Sequence, residues 1–206
     1  MKAWLLLVSL IAWLLAGSGL VTAESSSQTL IDNRFASLQN YRTLRGEFMQ
    51  LRTLPNLSNP LRSSGQFILS RDQGFLWQQQ APFRTRLVFS EQRLIQQVAD
   101  KAPQILTPVQ NPAPFYFVAI FQSLLGGDWA RLRQDFRIEH TDQGLLLQPI
   151  QEPMRRAIEA IRIEGQDQLS RLTMIESSGG RIDIHFKNLS TDQLPLSDAE
   201  LKQYQP

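Results

Sequence analysis

The chain has 206 residues, with 21 Lys plus Arg, 19 Asp plus Glu and no cysteine. The missing cysteine excludes disulfides, thiol catalysis and a lipidated cysteine after a leader. A formal net charge of +2, even with a pI near 9.2, argues against a nucleic-acid surface in a chain without a Lys/Arg block. Arginine greatly outnumbers lysine, so most cations are planar forks suited to carboxylates, phosphates and aromatic faces.

Residues 1–23 read as a secretory signal peptide, with Lys2 as the positive start, an apolar run over 3–16 and small residues before a cut after Ala23. A retained anchor is the other reading, but the run is shorter than the roughly 20 residues a spanning helix needs, and Gly17, Ser18 and Gly19 interrupt it. Residues 24–206 then fit one domain, free in a compartment outside the cytoplasm.

The mature chain opens with a predicted amphipathic helix over 27–38, from Leu30, Ile31, Phe35 and Leu38 at helical spacing. After Asn40 the period becomes two. Leu44, Gly46, Phe48 and Gln50 fall on one side of a strand, with Arg45, Glu47, Met49 and Leu51 on the other. Residues 55–64, rich in Pro, Asn and Ser, read as a loop that launches a strand over 66–70. The turn Arg71-Asp72-Gln73-Gly74 returns the chain through 75–79, Pro82 closes that strand, and 85–89 and 94–98 give two more. Short strands at this spacing predict an antiparallel meander curling toward a barrel or half-barrel.

A proline-rich lead-in over 108–114 precedes an apolar helix that Gly126 and Gly127 stop. Phe117, Phe121 and Leu124 form one stripe, yet its other faces are apolar too, so it is buried or faces something greasy. Strands resume at 136–140 and 145–148. Residues 153–164 are ambiguous, since Ile158 and Ile161 suit a helix whereas Ile161 and Ile163 suit a strand, and a short turn followed by a strand from Ala160 is the favoured reading. A final hairpin pairs 169–176 with 181–187 around Ser178-Gly179-Gly180. Beyond Asn188 the chain reads as a polar tail, with a short helix over 197–201 carrying a Ser197/Glu200 capping box.

Motifs for chemistry are missing. The two histidines, His140 and His185, have no partners at metal-ligand spacing, and no GxSxG elbow, P-loop or GxGxxG follows a strand. A carboxylate pair such as Asp183 with Glu176 could sit close across the last hairpin, but charged cross-strand neighbours are ordinary on a solvent-facing surface. The expectation is a protein that is not an enzyme and uses no cofactor or metal. What the sequence does supply is apolar alternation: Phe67 and Leu69 share a face, as do Phe75 and Trp77, and Leu87 and Phe89. From periodicity alone such faces suit first an ordinary packed core, with an apolar cavity for acyl chains under a movable cover as the sharper alternative. Arg84 and Arg86 suit an anionic headgroup at the rim of such a cavity, or a basic edge strand that discourages aggregation.

The run from Gly65 through Arg71 to Phe75-Leu76-Trp77, followed by Pro82 and the strand through Val88, resembles the central signature of the periplasmic outer-membrane lipoprotein carrier family, LolA. Glu47-Phe48-Met49-Gln50 is similar to that family's early strand. The resemblance extends over essentially the mature chain. It implies an α+β fold, a strongly curved, unclosed antiparallel sheet capped by helices around an apolar cavity. It implies a periplasmic carrier that shields the acyl chains of a lipoprotein or related lipid on the way from an inner-membrane donor complex to an outer-membrane acceptor. The carrier would act as a monomer. By position, Arg71 matches the arginine that holds the helical lid closed. Phe48, Phe67, Leu69, Trp77, Leu87, Phe89, Phe117, Phe121 and Leu124 fall where acyl chains would lie. The segment 90–97 departs from the family's aspartate-glycine turn and Trp-x-Tyr strand, which implies a divergent member serving another lipid or one pathway. A periplasmic sensor or interaction module on the same fold is the alternative.

Overall fold

The computed structural model describes residues 41–205 except 91, 110, 111, 153, 166 and 167, and leaves out the side chains of 112–114, 116, 117 and 121. The expected signal peptide and the opening helix at 27–38 lie outside the described residues. The described residues belong to one compact unit, Arg34–Pro206.

Eleven strands dominate it: β1 (Thr43–Thr53), β2 (Leu61–Ser70), β3 (Gly74–Ala81), β4 (Thr85–Phe89), β5 (Leu94–Val98), β6 (Gln104–Leu106), β7 (Phe136–Thr141), β8 (Gly144–Pro149), β9 (Ile158–Gly165), β10 (Leu169–Glu176) and β11 (Arg181–Asp192). They form one unclosed, curved antiparallel sheet in the order β6-β5-β4-β3-β2-β1-β11-β10-β9-β8-β7. Among the described residues, four helices accompany it: α1 (Pro112–Gly126), α2 (Trp129–Asp135), α3 (Met154–Ala157) and α4 (Asp198–Lys202). Among the described residues, no helix is long and apolar enough to cross a membrane.

The period-two segments become strands as expected, and β4 and β5 coincide with the predicted bounds. Gly74 explains the first tight turn. Its φ of 94° suits glycine, and a Cβ there would strike the Phe89 carbonyl. Three boundaries differ. β2 starts at Leu61, inside the expected loop, because Leu61 to Ser64 pair with Arg52 to Met49 at the far end of β1. β9 starts at Ile158, directly after the single turn of α3. β11 continues to Asp192: Asn188 adopts φ 53° where the β1 register skips between Arg45 and Glu47, so the strand bulges there and pairs onward through Ser190 to Asp192. α2 and β6 are elements that the sequence pattern did not indicate.

The two faces of the sheet do different work. On one, Phe48 of β1 and Trp77 of β3 stack with ring centroids 3.6 Å apart, although β2 runs between them. Flat strands two places apart lie about 9.5 Å from each other, so rings that meet across β2 mark the concave face. Phe67 of β2 likewise reaches Phe186 of β11 across β1, at 5.7 Å. Gly46 makes this possible, since a Cβ there would lie 2.7 Å from the Phe67 ring. The convex face carries a separate apolar cluster of Leu76, Val88, Ile95, Leu196 and Tyr204, flanked by Ile68 and Leu201. The expected polar tail is therefore a strap packed on the outside of β2 to β5. Arg45 holds Glu200 through Nε at 2.6 Å and Nη2 at 3.1 Å, and the Tyr204 hydroxyl donates to the Ile68 carbonyl at 3.1 Å. The Ser197/Glu200 capping box forms as expected.

Candidate functional site

The concave face gathers most of the apolar residues singled out in the sequence. Phe48, Phe67, Leu69 and Phe89 are buried there, and Trp77 and Leu87 are half-buried and paired across β3 and β4. Phe67 packs against Trp77 and Phe75 with centroids 6.2 and 6.1 Å apart, and Phe75 meets Trp77 and Phe89 at 5.8 and 6.4 Å. Offset and tilted contacts of this kind stabilise an aromatic layer beyond its area burial. The rings fill the curve of the sheet and touch one another. Leu124 is buried on α1. Phe117 and Phe121 lie on the same helix, with their side chains outside the described set.

The end of α1 is tied down by two side chains. The Tyr41 hydroxyl donates to the Leu125 carbonyl at 2.7 Å. Arg71 donates from Nε to the Tyr41 carbonyl at 2.6 Å and from Nη2 to the Gly126 carbonyl at 3.3 Å. Its guanidinium also lies 5.1 Å from the Tyr41 ring centroid. The last carbonyls of a helix lack intrahelical donors and carry its negative end, so a cation and a phenol O–H satisfy them well. Burial pushes the Tyr41 phenol well above its ordinary pKa, against the opposing pull of the Arg71 cation, and keeps it a donor. Gly127 at φ 67° then turns the chain into α2, whose Asp128 cap accepts from the Arg131 N–H at 3.1 Å.

Beside this latch opens a polar cleft of about 600 Å³, walled by Arg71, Gln73, Ser90, Gln92, Gln122 and Arg131. Asp72, also in the wall, is engaged by Arg42 at 2.8 Å. The cleft sits where the β2–β3 and β4–β5 turns meet the end of α1, so polar groups border an apolar interior.

Arg84 and Arg86 do not join this constellation. Arg86 alternates with Leu87, which places it on the convex face, and its Nη1 donates to the carbonyls of Gln203 and Gln205, each at 3.0 Å. Arg84 lies in the turn at the far end of β3 from Arg71, highly exposed and 3.7 Å from Asp100. Arg86 thus faces the strap on the outside of the sheet, and Arg84 stands at the end of the sheet away from the latch. His140 and His185 stand on β7 and β11 with three strands between them. Among the described residues, no cluster of His, Cys, Asp or Glu is placed to hold a metal. Asp183 and Glu176 are engaged separately, by Arg181 at 2.7 Å and Arg52 at 3.0 Å.

Phe75, on the face that its alternation with Trp77 indicates, joins the ring layer, and two participants went unmarked in the sequence. Phe186 requires the register of β11 on β1, which places it opposite Phe48. Tyr41 precedes β1 and has no periodicity to betray it.

The described residues thus combine a curled antiparallel sheet, an aromatic concave face and a helix whose carbonyl end is held at one edge. The sequence matches the family described as outer membrane lipoprotein carrier protein LolA over residues 39–200, and the chain belongs to that family. No curated protein matches the sequence. Among solved structures, the chain is similar to a LolA superfamily protein of Nitrosomonas europaea, at 15% identity and a TM-score of 0.49, covering 85% of this chain and 96% of that one. It is also similar to a DUF1329 family protein of Desulfovibrio piger, at 11% identity and a TM-score of 0.48, covering 85% and 95%. LprF of Mycobacterium bovis follows at 9% identity and a TM-score of 0.36, covering 84% and 95%.

Proposed function

We propose that this protein is a periplasmic carrier that shields the acyl chains of a lipoprotein or related lipid between an inner-membrane donor complex and an outer-membrane acceptor. The observation that carries this reading is the latch: Arg71 and Tyr41 hold the carbonyl end of α1 at the edge of an aromatic concave face. Family membership supports it. The reading needs no catalytic group and no cofactor.

Transfer by such a protein is partition under a movable cover. Each buried methylene contributes about 0.8 kcal/mol, so an acyl chain gains many small increments on entering an apolar interior. The interior already satisfies itself through ring contacts, and cargo must part Phe48 from Trp77 and lift α1. The latch bonds are few and peripheral, so breaking them leaves the sheet intact. The polar cleft beside Arg71 offers hydrogen-bonding groups to the part of the cargo that stays wet.

The test is to purify the secreted form without detergent, weigh the intact complex by mass spectrometry and analyse its organic extract. One acylated molecule per chain, released to acceptor membranes, supports the carrier. A chain that arrives empty and takes up no acyl probe overturns it, and a stable stoichiometric protein partner would then favour an interaction module.

A further inference from the structure

The end of β3 and β4 opposite the latch carries a surface that the carrier reading leaves unused. The turn there projects Phe83, 72% exposed, with its backbone steadied by a 3.0 Å hydrogen bond from the Gln79 side-chain amide to the Phe83 carbonyl. Next to it Arg84 is 76% exposed, and its ion pair with the 92% exposed Asp100 spans 3.7 Å. A pair this open and long is weak and readily exchanged.

Alongside lies a recess of about 210 Å³, lined by Arg84, Arg86 and the glutamines Gln78, Gln79, Gln80 and Gln97. No carboxylate is among its described walls. Arg86 spends Nη1 on the Gln203 and Gln205 carbonyls, while its Nε–H is buried with no acceptor among the described residues. Buried N–H groups are nearly always satisfied, and two guanidinium groups beside neutral amides favour a phosphate oxygen as the missing acceptor. An exposed aromatic ring next to cations is the combination that suits a membrane surface. The ring enters the boundary between headgroups and acyl chains, and the cations meet anionic lipid.

We propose that the tip formed by Phe83, Arg84 and the Arg86 recess is a membrane-contact point, with Phe83 entering the headgroup layer and the recess taking the phosphate of an anionic phospholipid. The contact would hold the protein at a bilayer surface by its β3–β4 end while leaving the latch end free.

Flotation of the secreted form with vesicles tests this. Phosphatidylglycerol/phosphatidylethanolamine vesicles should carry the protein upward, and phosphatidylcholine vesicles should carry much less. Phe83→Ser should lower the partition coefficient roughly tenfold, about half the effect of fully withdrawing a Phe side chain from water. Arg84→Gln should lower it roughly fivefold and flatten its salt dependence, while Phe83→Leu retains binding. Equal flotation of wild type and Phe83→Ser overturns the proposal. So does binding that millimolar inorganic phosphate abolishes in wild type and Phe83→Ser alike, because that result describes a site for the free anion. Phe83 lies at the opposite end of β3 from the latch, so the difference between wild type and Phe83→Ser is read separately from uptake of acyl cargo under α1.

Discussion

Replacing Arg71 with leucine tests the latch directly. The substitution removes the 2.6 Å bond to the Tyr41 carbonyl, the 3.3 Å bond to the Gly126 carbonyl and the cation 5.1 Å from the Tyr41 ring. Hydrogen bonds from charged donors contribute about 1.5–3 kcal/mol when well formed. Here the second is long, the side chain is exposed and water competes, so the sum for holding the end of α1 is about 1–2 kcal/mol. The Tyr41 hydroxyl keeps its bond to Leu125, so the helix loosens without being lost. A change of that size raises the population with α1 released by about 5- to 30-fold. Hydrogen exchange read by mass spectrometry should show that acceleration in peptides covering residues 115–127, with β9 to β11 unchanged, and lipid uptake and release should both quicken. Unchanged exchange in that helix would refute the reasoning. Equal loss of protection across the sheet would also refute it, since Arg71 would then be supporting the fold as a whole.

Three further outcomes follow from the packing. Phe67→Ala, at a site 1% exposed in the middle of the ring layer, should cost about 3–5 kcal/mol, measured by chemical denaturation; a loss under about 1 kcal/mol would mean that the layer closes over the gap. Gly65→Ala should destabilise by about 1–3 kcal/mol, since a Cβ would run into the Gln78 carbonyl of the neighbouring strand, a backbone atom that cannot step aside; an unchanged melting temperature would contradict this. Arg45 holds the Glu200 carboxyl down to about 2 from 4.5. That stabilisation is complete above about pH 4.5 and fades as pH falls toward 2, and solvent screening limits it to about 1 kcal/mol. The gap in melting temperature between wild type and Glu200→Gln should therefore shrink across that window, and a gap independent of pH would exclude the pairing.

The sequence was most readable where local chemistry decided the structure. Turn glycines, period-two alternation and the Ser197/Glu200 capping box each act within a few residues, and the corresponding elements are present. Reading failed where a distant partner decided. Leu61 to Ser64 look like loop until the far end of β1 pairs with them, and Asn188 looks like a stop until the bulge is seen to accommodate its positive φ. Leu196, Leu201 and Tyr204 are too sparse for periodicity, and only the convex groove reveals them as core. Arg86 is the instructive case, because its side could have been read: Leu87 and Phe89 were placed on one face, and strict alternation then sends Arg86 and Val88 to the other. Its chemistry suits an anionic headgroup, and its parity places it on the convex face.

The strand order has a consequence for how the protein comes together. Every neighbouring pair in the sheet is consecutive in the chain except β1 with β11. Two meanders, β1 through β6 and β7 through β11, can therefore each assemble from nearby segments, while a single seam must find its partner across more than 120 residues, from Thr53 to Arg181. Ring-closure entropy grows only with the logarithm of loop length, and prior collapse of each meander shortens the effective loop. Folding speed should depend on that one encounter, because non-local pairings are the slow ones. The seam also unites Phe48 with Phe186, so the aromatic layer is completed only when the last long-range pairing closes.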